Sequence, residues 1–180
     1  TDSPINRAIF KSLLFQTVQT IYAIWKVFPK FKHGDLHTSN VMLKFDPNYV
    51  FNATAPKFLV YNINKTKYHI PYFGIIIKII DFGYSSLPEH DIVSNAMQDP
   101  LIVYDRSTND LLFLYHWIYI ICNTTKNEYI PALLALLEPN MTYMRFLAPH
   151  IRKLEEKKLI PTYLDMVTNP CWSNYILDKE

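Results

Sequence analysis

The sequence predicts a mainly α-helical domain carrying small β-hairpins, and three observations lead to that class. Apolar residues recur at helical spacing over the first 27 positions. Short strand-like runs broken by turn residues recur over positions 41–80, and helical periodicity returns from about 108 onward. With 180 residues, 49% hydrophobic and 19% charged, the chain has the length and balance of one globular domain with a substantial core.

Each element has its own local reason. Ser3-Pro4 sets a hydroxyl cap before a proline at the first helical position. Phe10, Leu14, Val18, Ile21, Trp25 and Phe28 then repeat at helical spacing, so a helix is expected over 4–27, ended by Pro29. Residues 31–40 are polar and loop-like. A short strand at 41–45 follows, then the turn signal Asp46-Pro47-Asn48. Within 46–74 a hairpin is expected, with a strand at 57–63, a turn at Asn64-Lys65-Thr66 and a return strand at 68–70. Residues 75–80 read as a buried strand running straight into Asp81-Phe82-Gly83. Positions 84–107 show little periodicity and read as an irregular segment. Helices are expected at about 108–122, 129–138, 141–157 and 161–168, with the charge run Arg152 to Lys158 on a solvated face. The aromatic residues at helical spacing, Trp25 and Trp117 among them, are expected in the core.

Composition excludes several function classes. A formal charge of +2 is too small to argue for a nucleic-acid or membrane surface. The apolar stretch from Leu111 to Cys122 contains His116 and is far shorter than the roughly 20 residues a bilayer span requires. Cys122 and Cys171 fit neither a disulfide framework nor a zinc site, so an intracellular, reducing location is expected. His69, His90, His116 and His150 show no metal-ligand spacing.

Three oxygen-bearing side chains stand out: Asp35, Asn40 and Asp81. The first two close the ends of one short loop, and the third follows a hydrophobic strand. If strands 41–45 and 75–80 pair, all three meet at one edge of the ribbon. Such a set suits Mg²⁺, a hard ion that takes a few protein oxygens together with phosphate oxygens.

These residues sit in strings with a known likeness. His33-Gly34-Asp35-Leu36-His37-Thr38-Ser39-Asn40 resembles the protein-kinase catalytic loop, His-x-Asp-Leu-x-x-x-Asn. Ile79-Ile80-Asp81-Phe82-Gly83 resembles the strand and Asp-Phe-Gly metal motif that follow it. The resemblance implies a kinase-like C-terminal lobe, an α+β kinase fold lacking its N-terminal lobe, with ATP and Mg²⁺ as cofactors. It implies that Asp35 accepts or orients the substrate hydroxyl proton, and that Asn40 and Asp81 hold metal against the phosphates. His33 and Gly83 would support the site, and Asp110 would tie the loop to the core, with Asp105 a nearby competitor for that role. His37 stands where a lysine commonly touches the transferred phosphate, and it either contacts phosphate or packs within the loop.

The nearest likeness is to the haspin group of atypical protein kinases, and poxvirus and giant-virus kinases share the Asp-Leu-His loop. A long insert separates Asn40 from Asp81, and Tyr61-Asn62-Ile63-Asn64 followed by Ile70-Pro71-x-x-Gly74 is similar to the haspin hairpin. The implied partner is a protein substrate, such as a histone tail or a virion protein. The implied location is the nucleus or cytoplasm, or the virion or host cytoplasm for a viral enzyme. Gly34 replaces the arginine that many protein kinases place before the catalytic aspartate, so activation through a phosphate at that arginine is not expected. The segment after Asp81 lacks an Ala-Pro-Glu ending.

All three glycines, Gly34, Gly74 and Gly83, fall inside the matched segments, so this chain holds no glycine-rich phosphate loop. An N-terminal lobe is therefore expected upstream or on a separate chain. Two rivals stay open at this point. One is a small-molecule kinase of the aminoglycoside or choline type, which shares the His-Gly-Asp-Leu-His pattern. The other is a pseudokinase that keeps the fold as a binding scaffold.

Overall fold

The first helix, α1, spans Pro4–Val27 in the computed structural model, which describes residues 4–52, 55–87, 92–93, 110, 114 and 162–177. The expected Ser3 cap, the helices at 129–138 and 141–157, most of the segment 84–107 and the charge run at 152–158 lie outside the described residues. So do Asp105, Trp117, Cys122, His90, His116 and His150. Asp110 and Leu114, the described residues of the stretch 108–122, are both helical.

No glycine interrupts α1, and its only proline sits in the first turn, where a missing N–H costs nothing. Phe28 N–H still reaches Ile24 O at 2.8 Å before Pro29 makes further helix unfavourable. The buried stripe runs through Leu14, Phe15, Val18, Ile21 and Tyr22. It is rotated from the stripe that periodicity suggests: Phe10 is 45% exposed, whereas Phe15 is fully buried. The reason is the partner. Phe15 faces an aromatic cluster in which Trp172 and Tyr175 meet it edge-on at 5.2 and 6.0 Å between centroids, with Tyr61 and Tyr68 at 5.7 and 5.4 Å. Helical spacing shows that α1 has an apolar side but not which neighbour will meet it.

Three two-stranded antiparallel pairs complete the described architecture. Strand β1 (Val41–Phe45) pairs with β4 (Ile75–Ile79) in the register Val41↔Ile79, Leu43↔Ile77 and Phe45↔Ile75. The long insert between them folds as a hairpin of β2 (Lys57–Ile63) and β3 (Thr66–Tyr72), so the return strand is longer than its sequence pattern suggests. Asn64 and Lys65 form its two-residue turn with φ of 47° and 65°, the positive-φ conformation that matches the twist of hairpin strands. Ile63, Tyr68 and Ile70 bury one side of the hairpin in the common core. The segment read as irregular holds a third pair, β5 (Ser86–Leu87) with β6 (Ile92–Val93). Strands of two residues are too short to leave a periodic signal.

The helix α2 (Tyr163–Val167) is closed by a capping box, in which Thr162 Oγ1 accepts from Asp165 N–H at 3.1 Å and Asp165 Oδ2 accepts from Thr162 N–H at 2.8 Å. Its Met166 carbonyl accepts the Trp172 indole N–H at 2.8 Å, so the large buried ring leaves no donor unpaired.

One buried amide ties α1 to the ribbon. Gln16 is 2% exposed; its Nε2 donates to Ile75 O at 3.2 Å and its Oε1 accepts Ile77 N–H at 3.2 Å. The side chain thus serves the free edge of β4 as a neighbouring strand would. Four residues earlier in α1, Ser12 Oγ donates to Pro71 O at 2.7 Å. Leucine at position 16 keeps the volume but leaves two backbone groups of β4 unpaired, so Gln16→Leu should lower stability by about 1–3 kcal/mol. Urea denaturation checks this, and an unchanged midpoint would contradict the role assigned to the amide.

Candidate active site

The loop from His33 to Asn40 is built around one buried aspartate. Asp110 is fully buried and accepts three backbone N–H groups: His33 at 2.7 Å and Gly34 at 3.0 Å on Oδ2, and Leu36 at 3.2 Å on Oδ1. Burial pushes its carboxyl above the usual carboxylate range, against the opposing pull of the Gly34 amide, the His33 ring, and the Leu36 and His33 amides. The same charge, added to burial, raises the phenol of Tyr163 well above its ordinary value. Gly34 takes φ of 78°, a left-handed conformation that a glycine adopts without strain. The bend it makes lets neighbouring N–H groups turn toward one carboxylate.

The loop ends in a short 3₁₀ turn, Thr38–Asn40. Asn40 is buried, and its Nδ2 donates to Asp35 O at 2.7 Å, which fixes the two ends of the loop to each other. With the amide nitrogen engaged there, the carbonyl oxygen of Asn40 is the group able to face a cation. The Asp35 carboxylate remains accessible to solvent.

Asp81 reaches the same place through the ribbon. Val41 pairs with Ile79, and one step beyond, Asn40 O accepts Ile80 N–H at 3.0 Å. His33, fully buried, contacts Ile80 O through Nε2 at 2.9 Å and the Phe82 ring at 5.1 Å. Asp81 itself has φ of 60° and ψ of 70°, a conformation that costs a non-glycine residue about 1–2 kcal/mol. Its Oδ1 accepts Gly83 N–H at 3.3 Å, and a Cβ at Gly83 would lie only 3.2 Å from that oxygen. Gly83 thus leaves room for the carboxylate to fold over its own turn.

The chain after Gly83 is fastened to the loop entrance. Lys32 and Ser86 exchange backbone hydrogen bonds of 3.1 and 3.0 Å, and Ser85 Oγ donates to His33 O at 3.0 Å. Neither the Ser85 nor the Ser86 contact was visible in the sequence pattern, because both depend on how the segment after the motif turns back.

Asp35 and Asn40 are therefore joined directly, and Asp81 is joined to them through backbone. Asn40 and Asp81 are two oxygen donors, a set that fits Mg²⁺ when phosphate and water supply its remaining ligands. Among the described residues no group of three or more His, Cys, Asp or Glu side chains forms a metal cage of its own. An apolar cavity of about 200 Å³ lies between α1 and β1, with Leu13, Thr17, Val41 and Leu43 in its wall. None of the acidic residues lines it, so the candidate chemistry lies outside that cavity.

Two proteins of Acanthamoeba polyphaga mimivirus, each named "Putative serine/threonine-protein kinase", are similar to this chain. One is 29% identical over 99 residues, which are 55% of this chain and 22% of that protein. The other is 31% identical over 75 residues, 42% of this chain and 16% of that protein. The chain thus spans about a fifth or less of the length of these curated relatives. No family model matches it, and no solved structure matches it. The sequence similarity supports a kinase-like relationship. Among the described residues no helix is long and apolar enough to cross a membrane.

Proposed function

We propose that this chain supplies the catalytic loop and the metal-binding half of an ATP- and Mg-dependent serine/threonine protein kinase, in a C-lobe-like fold. The observation that carries the reading is the double tether between the loop and Asp81. Asn40 O takes Ile80 N–H at 3.0 Å while His33 Nε2 meets Ile80 O at 2.9 Å. A loop aspartate, a loop asparagine and a strand-end aspartate are thereby held in one neighbourhood, which positioning catalysis requires.

In this reading Asp35 orients the substrate hydroxyl and accepts its proton. Asn40 and Asp81 hold the metal. Bound Mg²⁺ supplies neutralisation of the phosphate charge during transfer. Asp110, His33 and Gly83 keep these groups in place without touching substrate. The glycine-rich phosphate loop comes from residues beyond this chain, upstream or on a separate chain. The Asp-Leu-His loop and the 57–72 hairpin leading to Gly74 favour a haspin-like enzyme acting on a protein hydroxyl, in the nucleus or cytoplasm. The viral source of the two similar proteins favours a virion protein over a histone tail as substrate.

The first test is ligand-dependent stability. At about 100 times its dissociation constant, Mg-ATP should stabilise the chain by about 2.7 kcal/mol, or about 5–10 °C for a domain of this size. The shift should require Mg²⁺ and should vanish in Asp81→Ala, as read by differential scanning fluorimetry. A shift of equal size with EDTA, or one that survives Asp81→Ala, would remove Asp81 from the site.

A further inference from the structure

His37 lies between Asp35 and Asn40, and its contacts decide which ring nitrogen carries the proton. Nδ1 accepts Ser39 N–H at 3.2 Å, so Nδ1 bears no proton and the neutral ring carries it on Nε2. Nε2 stands 3.2 Å from Asn40 Nδ2 and 3.6 Å from Asp35 Oδ2. Two donors do not bond each other, so the first contact is not a hydrogen bond. Turning the Asn40 amide over does not rescue it, because that would bring two oxygens together at the 2.7 Å separation from Asp35 O. The acceptor left for His37 Nε2–H is Asp35 Oδ2, which Asn40 Nδ2 also approaches at 3.5 Å. No described residue donates to Asp35 Oδ1. The 3.6 Å separation is long, as catalytic contacts often are before substrate tightens them.

We propose that His37 is a positioning residue: its Nε2–H holds Asp35 Oδ2 so that Oδ1 is presented to the substrate hydroxyl, and it does not reach the transferred phosphate. The assignment of roles rests on the kinase reading. It accounts for an imidazole where a long flexible cation could stand. A ring whose other nitrogen is tied to Ser39 N–H can direct a single donor at one carboxylate oxygen, whereas a lysine would place a mobile charge there.

Two variants of the complete protein that contains this chain separate the possibilities. His37→Leu fills the space without a donor, and His37→Gln restores an amide N–H near the position of Nε2. His37→Leu should lower kcat about 10- to 100-fold, the scale of a misaligned catalytic group, with KM for ATP nearly unchanged. His37→Gln should recover most of that loss. A rise in KM for ATP at constant kcat would overturn the proposal in favour of a phosphate contact, and so would equal loss in both variants. Nitrogen NMR of the imidazole gives a readout that needs no turnover. Nδ1 should resonate as the unprotonated nitrogen and Nε2 as the protonated one, and Asp35→Asn should move the Nε2 proton signal. If the complete protein transfers no phosphate, the kinase reading fails by itself. The NMR result then still judges the contact, which is refuted by a proton on Nδ1 or by an Nε2 signal that ignores Asp35→Asn.

Discussion

Alanine in place of Asp110 should cost about 3–5 kcal/mol and dissolve the loop that carries Asp35. The size of the effect follows from what is left behind. Three backbone N–H groups, those of His33, Gly34 and Leu36, converge on this carboxylate. Each would lose its partner in a place that water does not reach, and each such loss is worth about 1–3 kcal/mol before any relaxation. The bend at Gly34 exists to aim those groups and would have no reason to persist. Asparagine at 110 discriminates between charge and shape. It keeps one acceptor oxygen but turns a donor toward either Leu36 N–H or the His33 and Gly34 pair, so an intermediate loss of about 1–3 kcal/mol is expected. Chemical denaturation measures the cost. Amide hydrogen exchange locates it, with the protection of His33, Gly34 and Leu36 falling well before that of α1. An Asp110→Ala protein with native stability and unchanged protection at those amides would show that the carboxylate does not organise the loop.

Much of this arrangement was legible in the sequence where local pattern and local chemistry agreed. Pro4 and Pro29 bracket α1, a short apolar run before the Asp46-Pro47-Asn48 turn marks β1, and an isoleucine run marks β4. The pairing of those strands joins Asn40 to the residue before Asp81. What escaped is what depends on partners distant in the chain. Gln16 carries no signal in the helical pattern, yet it is buried because the edge of β4 offers it both a donor and an acceptor. Phe15 reads as off the apolar stripe, yet it is the centre of the core because residues 61, 68, 172 and 175 all bring rings to it. Gly34 reads as a missing arginine, whereas its φ of 78° shows a backbone bend that a side chain would strain. His37 had two possible roles in the sequence because its tautomer depends on Ser39 N–H, a contact no pattern announces. Periodicity reports that a face is apolar, and only the folded chain says which atoms meet it.

Gly74→Ala should destabilise the protein by about 3 kcal/mol, for two separable reasons. Gly74 has φ of 73°, where an alanine is strained, and a Cβ there would lie 2.5–2.7 Å from Cδ1, Cγ and Cβ of Tyr49. Tyr49 cannot step aside freely. Its hydroxyl donates to Tyr72 O at 2.6 Å, its ring meets Tyr72 edge-on at 5.1 Å, and Tyr72 in turn donates to Asp46 at 3.2 Å. Asp46 N–H closes the end of the ribbon on Gly74 O at 2.8 Å. A double-mutant cycle divides the cost. With Tyr49→Gly already present all three colliding atoms are gone, and Gly74→Ala should then cost only the backbone strain of about 1–2 kcal/mol. Equal costs in the two backgrounds would show that the Tyr49 ring is not what the glycine accommodates. The cycle also separates stability from the site. Gly74 lies before the first residue of β4 and Asp81 beyond its last, so folded Gly74→Ala should show the same Mg-dependent response to ATP, at low temperature, that the proposed function expects of the unaltered protein. If that response disappears while α1 and the ribbon remain folded, the insert shapes the site as well as stabilising it, and the two ends of β4 do not act independently.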